Sequence, residues 1–166
     1  MPGSRQLIIV RHAHRDKPAP LGRKADNGIS KKGKVQAKKV ARLYRKVLGD
    51  KKAELISSPK VRCVETLEPL ARKIGAKIVT HPALDEQSED ENLDQYRETV
   101  GGFIKNWMKS KSPVTIVCSH GDWIPLALDA LLGAGFELKK GGWAQFEYGQ
   151  KKFELKMIVQ KPGLLT

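Results

Sequence analysis

Short apolar runs alternate along the chain with longer segments in which apolar residues recur at helical spacing. Residues Gln6–Arg11 enclose a continuous run of four apolar side chains rich in β-branched residues, which predicts a strand buried on both faces. Three further strands are predicted at Glu54–Ser57, Lys77–Thr80 and Val114–Cys118. Helices are predicted at about Ser30–Leu48, Ser58–Lys73, Asn92–Met108 and Asp122–Leu132. The chain therefore reads as four strand–helix units in series.

Capping residues set the predicted helix ends. Ser30 is suited to cap the first helix, and Gly49 ends it. Ser58 followed by Pro59 predicts the start of the second helix. Pro69 lies inside that helix, where a proline is expected to kink it or end it early.

The order of the elements predicts an α/β fold. Repeated right-handed strand–helix units give a three-layer sandwich with a mainly parallel sheet and helices on both faces. The tail alternates polar and apolar residues over Trp143–Tyr148 and Lys152–Val159, which predicts an antiparallel pair around Gly149. A length of 166 residues fits a single domain spanning 1–166.

The composition is strongly basic. Thirty-one Lys and Arg against eighteen Asp and Glu give a formal net charge of +13, which indicates a phosphate-bearing, nucleic-acid or other anionic partner. The two cysteines, Cys63 and Cys118, are too few for a disulfide framework and favour a reducing compartment. With no apolar run of membrane-spanning length, we expect a cytoplasmic protein, monomeric and without a membrane partner.

Polar chemistry follows each predicted parallel strand. The four segments are Arg11-His12-Ala13-His14, Ser57-Ser58-Pro59-Lys60-Val61-Arg62, Leu84-Asp85-Glu86 and Ser119-His120-Gly121-Asp122. Ligands of open α/β sheets bind beyond the carboxyl ends of the strands, so these segments are expected to converge. Arginine forks bind phosphate oxygens, a neutral imidazole is a nucleophile, and a carboxylic acid can protonate a leaving oxygen. The combination predicts phosphoryl transfer through a histidine.

These motifs resemble the histidine phosphatase superfamily, which has the phosphoglycerate-mutase-like fold. The resemblance lies in Leu7-Ile-Ile-Val-Arg11-His12-Ala13, Ile29–Ala37, Ser57–Thr66 and Cys118-Ser119-His120-Gly121, in this order. By length the chain is most similar to the short phosphohistidine phosphatase branch. The resemblance implies a phosphatase that needs neither metal nor organic cofactor.

The same resemblance implies a role for each site residue. His12 would be the nucleophile that becomes phosphorylated, and Glu86 the general acid. Arg11, Arg62 and His120 would bind the phosphoryl oxygens, and His120 also counts among the catalytic residues. Flanking guanidinium groups disfavour an imidazolium, so His12 is expected to be neutral near pH 7.

Several positions depart from the family pattern. Ala13 stands where the family usually has glycine, and its methyl is expected to crowd the approach of the backbone to phosphate. His14 and Arg15 make the site more cationic than usual. Together with Ser30 and Trp123 they are candidate substrate-binding residues. The acid is open among Asp85, Glu86 and Glu89, with Glu86 preferred because it follows Leu84 by two residues.

Only 23 residues separate Arg62 from Glu86, which leaves no room for a lid domain. An open site favours hydrolysis over a mutase reaction, because a mutase must protect its intermediate from water. The expected partner is a phosphorylated protein, with phosphohistidine among the candidates, or a small phosphate ester.

Two other functions are open alternatives. His12, His14 and Asp16 have the spacing of a metal-hydrolase HxHxD signature. The first helix is rich in basic residues, which makes it a candidate surface for nucleic acid or an acidic protein, although a solvated face is favoured over this interpretation. Those basic residues are Lys34, Lys38, Lys39, Arg42, Arg45 and Lys46.

Overall fold

The computed structural model describes residues 3–17, 20, 22 and 25–164. The strands are β1 (Arg5–Arg11), β2 (Glu54–Ser57), β3 (Ile78–Thr80), β4 (Val114–Ser119), β5 (Trp143–Gly149) and β6 (Lys152–Val159). The helices are α1 (Lys31–Leu48), α2 (Val61–Ile74), α3 (Leu93–Met108) and α4 (Trp123–Leu132). Every predicted strand and helix is present, with ends shifted by at most a few residues.

The strands form one six-stranded mixed sheet in the order β3-β2-β4-β1-β5-β6. The first four strands in that order run parallel, with β1 next to β4 and β4 next to β2. The tail pair β5 and β6 is antiparallel and joins the sheet along β1. The predicted α/β fold with a mainly parallel sheet is confirmed.

Helices cover both faces of this sheet. Strand β1 explains the arrangement, because its side chains alternate between two apolar clusters. Leu7 and Ile9 pack in the cluster with α3 and α4. Ile8 and Val10 pack in the cluster with α1 and α2. A continuous apolar run in the sequence is therefore a strand with two buried faces.

Helix α2 differs from its prediction at two points. It begins at Val61 rather than at Ser58, and Lys60 occupies the cap position without a side-chain cap hydrogen bond. The Ser58 hydroxyl lies 2.7 Å from a ring nitrogen of His120 and accepts from the Lys60 N–H over 3.3 Å. The helix also continues through Pro69 to Ile74. The buried side chains of Leu67 and Leu70 hold this part of the helix against the core, which outweighs the local cost of the proline.

Two features bear on the expected compartment. Cys63 and Cys118 are both buried free thiols. Within the described ranges, no helix is long and apolar enough to cross a membrane.

Candidate active site

A cavity of about 410 Å³ opens at the carboxyl ends of the parallel strands. We call it the phosphate pocket. Its lining residues are Arg11, His12, Arg15, Lys17, Arg62, Glu86, His120, Gly121, Asp122 and Lys140. Six of the residues singled out from the sequence therefore meet in one place, although 109 positions separate the first from the last.

His12 sits immediately after β1 and is held from both backbone and ring. Its backbone N–H donates to the Ser119 carbonyl over 3.0 Å, which ties the end of β1 to the end of β4. Its Nδ1 lies 2.8 Å from the Ala13 carbonyl. A carbonyl oxygen only accepts, so Nδ1 carries the proton and Nε2 carries the lone pair.

The His12 ring is neutral at physiological pH. Burial lowers its pKa to about 3, and the nearby charges of Arg62, Arg11 and Lys140 act in the same direction. The hydrogen bond to Ala13 opposes this shift without cancelling it. His12 therefore presents an unprotonated nitrogen in a cationic pocket, which is the form of imidazole that attacks phosphorus.

Two arginines surround this ring with hydrogen-bond donors. The terminal nitrogen Nη2 of Arg62 donates to the Glu86 carboxylate over 2.9 Å. The Nη1 atom of Arg11 donates to the Leu138 carbonyl over 2.8 Å. The Nε atoms of both arginines are buried without a hydrogen-bond partner among the described residues. Two guanidinium groups that line one cavity offer paired donors and positive charge, so the pocket is suited to bind an anion.

His120 follows β4 and packs against His12, with ring centroids 5.4 Å apart. Its Nδ1 lies 3.2 Å from Arg62 Nη2, which can only donate. Nε2 therefore carries the proton and faces the Ser58 hydroxyl. Burial lowers the pKa of His120 to about 2, with contributions from Arg62 and His12. In this arrangement the His120 ring positions the Arg62 guanidinium.

The structure separates the three candidate acids. Glu86 lines the phosphate pocket, whereas Asp85 and Glu89 do not. The Asp85 carboxylate accepts from the backbone N–H of Glu86 over 2.8 Å and lies 3.8 Å from the Lys60 amine. Asp85 thus holds the loop that presents Glu86. Of the three acids, Glu86 is the one placed to act on a group in the pocket, and its role as the general acid stays a prediction.

Three candidate substrate-binding residues lie outside the phosphate pocket. Trp123 is fully buried and donates its indole N–H to the Ala83 carbonyl over 2.7 Å, so its predicted place at the pocket mouth is wrong. Ser30 caps α1 by accepting from the Gly33 N–H over 3.1 Å. His14 turns away from the pocket, with its Nδ1 2.7 Å from the Ser30 hydroxyl. Of the four candidates, only Arg15 lines the pocket.

The methyl group of Ala13 does not crowd the pocket, contrary to the expectation. Ala13 is buried in a small apolar cluster with Ile29 and Ala37. Its backbone N–H donates to the Thr66 hydroxyl over 2.9 Å. The side chain that replaces the usual glycine is therefore used for packing against α1.

Lys17 and Lys140 line the pocket but were not predicted from the sequence, and Asp122 was predicted only as the start of the fourth helix. Lys140 enters the pocket because the following residue, Gly141, donates its N–H to the Arg11 carbonyl over 3.0 Å. The run Lys139-Lys140-Gly141-Gly142 before β5 was the available signal. Asp122 accepts from the backbone N–H of Gln87 over 2.9 Å, which fixes the loop after Glu86.

The metal-hydrolase alternative lacks a matching arrangement. In the part of the chain that the structure describes, no three His, Cys, Asp or Glu side chains are grouped so as to hold a metal ion, and His14 faces Ser30 rather than His12. The basic residues of α1 border more than one cavity. Lys34 and Lys38 border a cavity that Glu65 also lines, whereas Lys39 borders a different one.

Comparisons with known proteins agree with this geometry. Residues 7–91, about half of the chain, match the model of the histidine phosphatase superfamily, branch 1. The fold is similar to that of an Escherichia coli K-12 protein provisionally described as an alpha-ribazole-5'-P phosphatase, with a TM-score of 0.77, 16% identity, and coverage of 95% of this chain and 98% of the other.

Two further solved structures share the fold. A phosphoserine phosphatase from Entamoeba histolytica gives a TM-score of 0.72 at 15% identity, and the match covers 92% of this chain and 95% of the other. A mycobacterial glucosyl-3-phosphoglycerate phosphatase gives a TM-score of 0.72 at 16% identity, and the match covers 93% of this chain and 98% of the other. From the family match and the pocket together, the chain belongs to the histidine phosphatase superfamily.

Proposed function

We propose that this chain hydrolyses phosphate monoesters through a covalent phosphohistidine on His12. One observation carries the proposal. The His12 ring is buried, neutral and fixed in one tautomer, and it shares a pocket with the guanidinium groups of Arg11 and Arg62. A dianionic phosphoryl group in this pocket supplies acceptors for the guanidinium groups that line it, and it places phosphorus beside the imidazole.

In the first step, His12 Nε2 attacks the phosphorus atom, so that a P–N bond forms as the P–O ester bond breaks. Glu86 acts as the general acid and transfers a proton to the leaving oxygen. In the second step, a water molecule attacks the phosphohistidine and loses a proton to the Glu86 carboxylate. The P–N bond breaks, inorganic phosphate leaves, and His12 regains its lone pair.

The cations of the pocket stabilise the charge on the transferring group. Arg11 and Arg62 offer fixed donors to its equatorial oxygens, where most of the charge lies in a loose transition state. His120 holds the Arg62 guanidinium in place and lines the same cavity. Arg15, Lys17 and Lys140 add positive charge around the entrance. All of these roles are achieved by side chains of this chain without a cofactor.

The substrate class follows from what the relatives have in common. Their described substrates are an alpha-ribazole phosphate, phosphoserine and a glucosyl-3-phosphoglycerate, which share a phosphate group and little else. We propose an organic phosphate or a phosphorylated protein, and place the chain in the short phosphohistidine phosphatase branch. The proposed form is a cytoplasmic monomer, in keeping with two buried free thiols.

A trapping experiment tests the mechanism. The protein is incubated with labelled phosphoramidate or p-nitrophenyl phosphate, and each reaction is quenched in acid and in base. We expect a label that is stable in base and labile in acid, located on His12 by mass spectrometry. The variant His12→Asn should take up no label, whereas His81→Asn, outside the pocket, should label normally. Turnover without label on His12, unchanged by His12→Asn, would overturn the proposal.

A further inference from the structure

A second concave surface lies beside the phosphate pocket and is larger, with a volume of about 730 Å³. We call it the lysine groove. It runs between the first turns of α1, the segment before β5 and the C-terminal turn at 160–164. Lys140 lines both cavities, and His14, two residues after the proposed nucleophile, lines the groove. The two cavities therefore adjoin at Lys140, and a segment that flanks a group held in the pocket would lie next to the groove.

The lysine groove is cationic along its length. It is lined by Lys32, Lys39, Lys139, Lys140 and Lys161, and its lining contains no acidic residue. None of these five lysines takes part in the ion pairs between described residues. Burial lowers the pKa of Lys140, and the surrounding cations Lys17, Arg11, Arg15 and Lys32 lower it further. The positive charge of the groove is thus uncompensated and favours a ligand with several negative charges.

Apolar side chains lie among the lysines. Val35 is 52% exposed and Leu164 is 81% exposed, and Pro162 lies beside them in the groove wall. A polyphosphate would leave these apolar surfaces unused. A polypeptide segment that carries acidic and apolar side chains would use both parts of the lining.

The walls of the lysine groove are held in place by specific contacts. The Lys139 N–H donates to the Gln160 side-chain oxygen over 2.6 Å, and the Gln160 amide donates to the Glu137 carbonyl over 2.9 Å. Lys39 packs closely over Gly163, since a Cβ there would lie 2.6 Å from Lys39 Cδ. The groove is therefore formed before a ligand binds, which lowers the entropic cost of binding.

We propose that the lysine groove docks an acidic polypeptide segment that flanks the phosphorylated residue held in the phosphate pocket. The proposal rests on the proposed function and narrows its substrate to a phosphorylated protein with acidic and apolar residues near the phosphosite. Phosphate recognition alone would then not set specificity. The groove would add affinity for the flanking segment.

The test uses a charge-matched pair of variants. One variant replaces three groove lysines outside the phosphate pocket, Lys32→Gln/Lys39→Gln/Lys161→Gln. The control replaces three exposed lysines elsewhere, Lys105→Gln/Lys109→Gln/Lys111→Gln. Both lower the net charge equally, so a difference between them reports the groove and not the overall field of the protein.

The first readout is binding, measured by fluorescence anisotropy with an unphosphorylated peptide of alternating glutamate and leucine. We expect the groove variant to bind at least roughly tenfold more weakly and the control variant to bind nearly as well as the parent. A peptide with glutamine in place of glutamate should bind weakly to all three proteins. Equal losses in the two variants would overturn the proposal.

The second readout is kinetic. For a phosphopeptide with acidic flanks, kcat/KM should fall roughly tenfold in the groove variant. For p-nitrophenyl phosphate, which cannot reach the groove, it should stay unchanged. Turnover of p-nitrophenyl phosphate without lysine-dependent peptide binding would overturn the docking proposal alone. Lysine-dependent peptide binding without turnover would overturn the proposed function and support the docking surface.

A third variant, Leu164→Ser, tests whether the groove prefers a peptide with apolar side chains to other polyanions. It should weaken binding of the glutamate–leucine peptide without affecting tripolyphosphate. If tripolyphosphate or a single-stranded oligonucleotide binds the groove more tightly than the peptide, and Leu164→Ser changes nothing, the polypeptide assignment is wrong.

Discussion

The guanidinium of Arg62 donates a hydrogen bond over 2.9 Å to the carboxylate of Glu86, which joins the first turn of α2 to the loop after β3. The Arg62 side chain is 3% exposed and that of Glu86 is 42% exposed. The pair therefore spans the boundary between the protein interior and solvent. The contact places the Glu86 carboxyl group at the edge of the phosphate pocket, beside the Arg62 guanidinium in its wall.

Replacement of Glu86 by glutamine should remove proton transfer while keeping the size and shape of the side chain. The amide oxygen can still accept from Arg62, but glutamine cannot protonate a leaving oxygen or take a proton from water. We expect kcat to fall roughly 10²- to 10⁴-fold with an alkyl phosphate, and less with p-nitrophenyl phosphate, whose leaving group needs little help. Steady-state kinetics with both substrates measure the difference.

The matched control is Glu89→Gln, an exposed acid in the same loop. It should keep the parent rates with both substrates. If Glu89→Gln and Glu86→Gln cost the same, or if Glu89→Gln alone is impaired, the acid has been assigned to the wrong residue.

Loss of Arg62 should affect catalysis far more than loss of another arginine from the same helix. Arg62→Ala removes a buried donor to the phosphoryl group, and we expect kcat/KM to fall by roughly 10²- to 10³-fold or more. Arg72→Ala removes a surface guanidinium that is 3.8 Å from Glu68, and it should stay within about twofold of the parent. Comparable losses would mean that Arg62 does not contact the reacting group.

The two histidines of the site could be predicted because each directly follows a strand of the parallel sheet. The run Arg11-His12 ends β1 and His120 follows β4, and the 3.0 Å bond from His12 N–H to the Ser119 carbonyl brings those two ends together. Such convergence is a property of parallel sheets and is visible in the order of motifs.

The errors arise where tertiary contacts decide which way a side chain points. Trp123 follows His120 by three residues, but its indole is buried next to Phe103, and its N–H is taken by Ala83. Lys140 lies at least 18 positions in sequence from every other pocket residue, and it reaches the pocket through the bond between Gly141 and Arg11. No periodicity or motif encodes these contacts.

The two pocket histidines should make the protein sensitive to acid. Their pKa values in the folded protein are about 3 for His12 and about 2 for His120, both lowered from 6.5. Between pH 6.5 and these lowered pKa values, the unfolded chain binds more protons than the folded one. The stabilisation that comes from keeping the two rings neutral is therefore fully present above pH 6.5 and is lost as the pH falls. Each ring contributes up to a few kcal/mol to this loss.

Urea denaturation at several pH values measures this effect. The free energy of unfolding should drop steadily below pH 6.5, and less steeply in His12→Asn, which cannot take up the proton. Arg72→Ala, which keeps both rings, should retain the parent slope. An unchanged slope in both His12→Asn and His120→Asn would show that neither ring is held neutral by the fold.

Gly33 is the position where an added methyl group should damage the fold and the site together. An alanine Cβ there would lie 2.1 Å from the His14 carbonyl oxygen and 2.8 Å from Ile29 Cβ, so the segment after His12 would have to move. The gain in helix propensity, about 1 kcal/mol, is smaller than the expected overpacking cost of up to about 3 kcal/mol. Gly33→Ala should therefore lower both the free energy of unfolding and kcat.

Gly102→Ala is the matched control, since Gly102 lies within α3 and nothing stands within 4 Å of the added Cβ. There the helix propensity acts alone, and we expect a gain in stability of up to about 1 kcal/mol with unchanged kcat. Urea unfolding and p-nitrophenyl phosphate turnover of the two variants test the contrast. If Gly33→Ala proved as stable and as active as Gly102→Ala, the close packing of α1 against the His14 backbone would not exist, and α1 would not fix the position of the segment that carries His12.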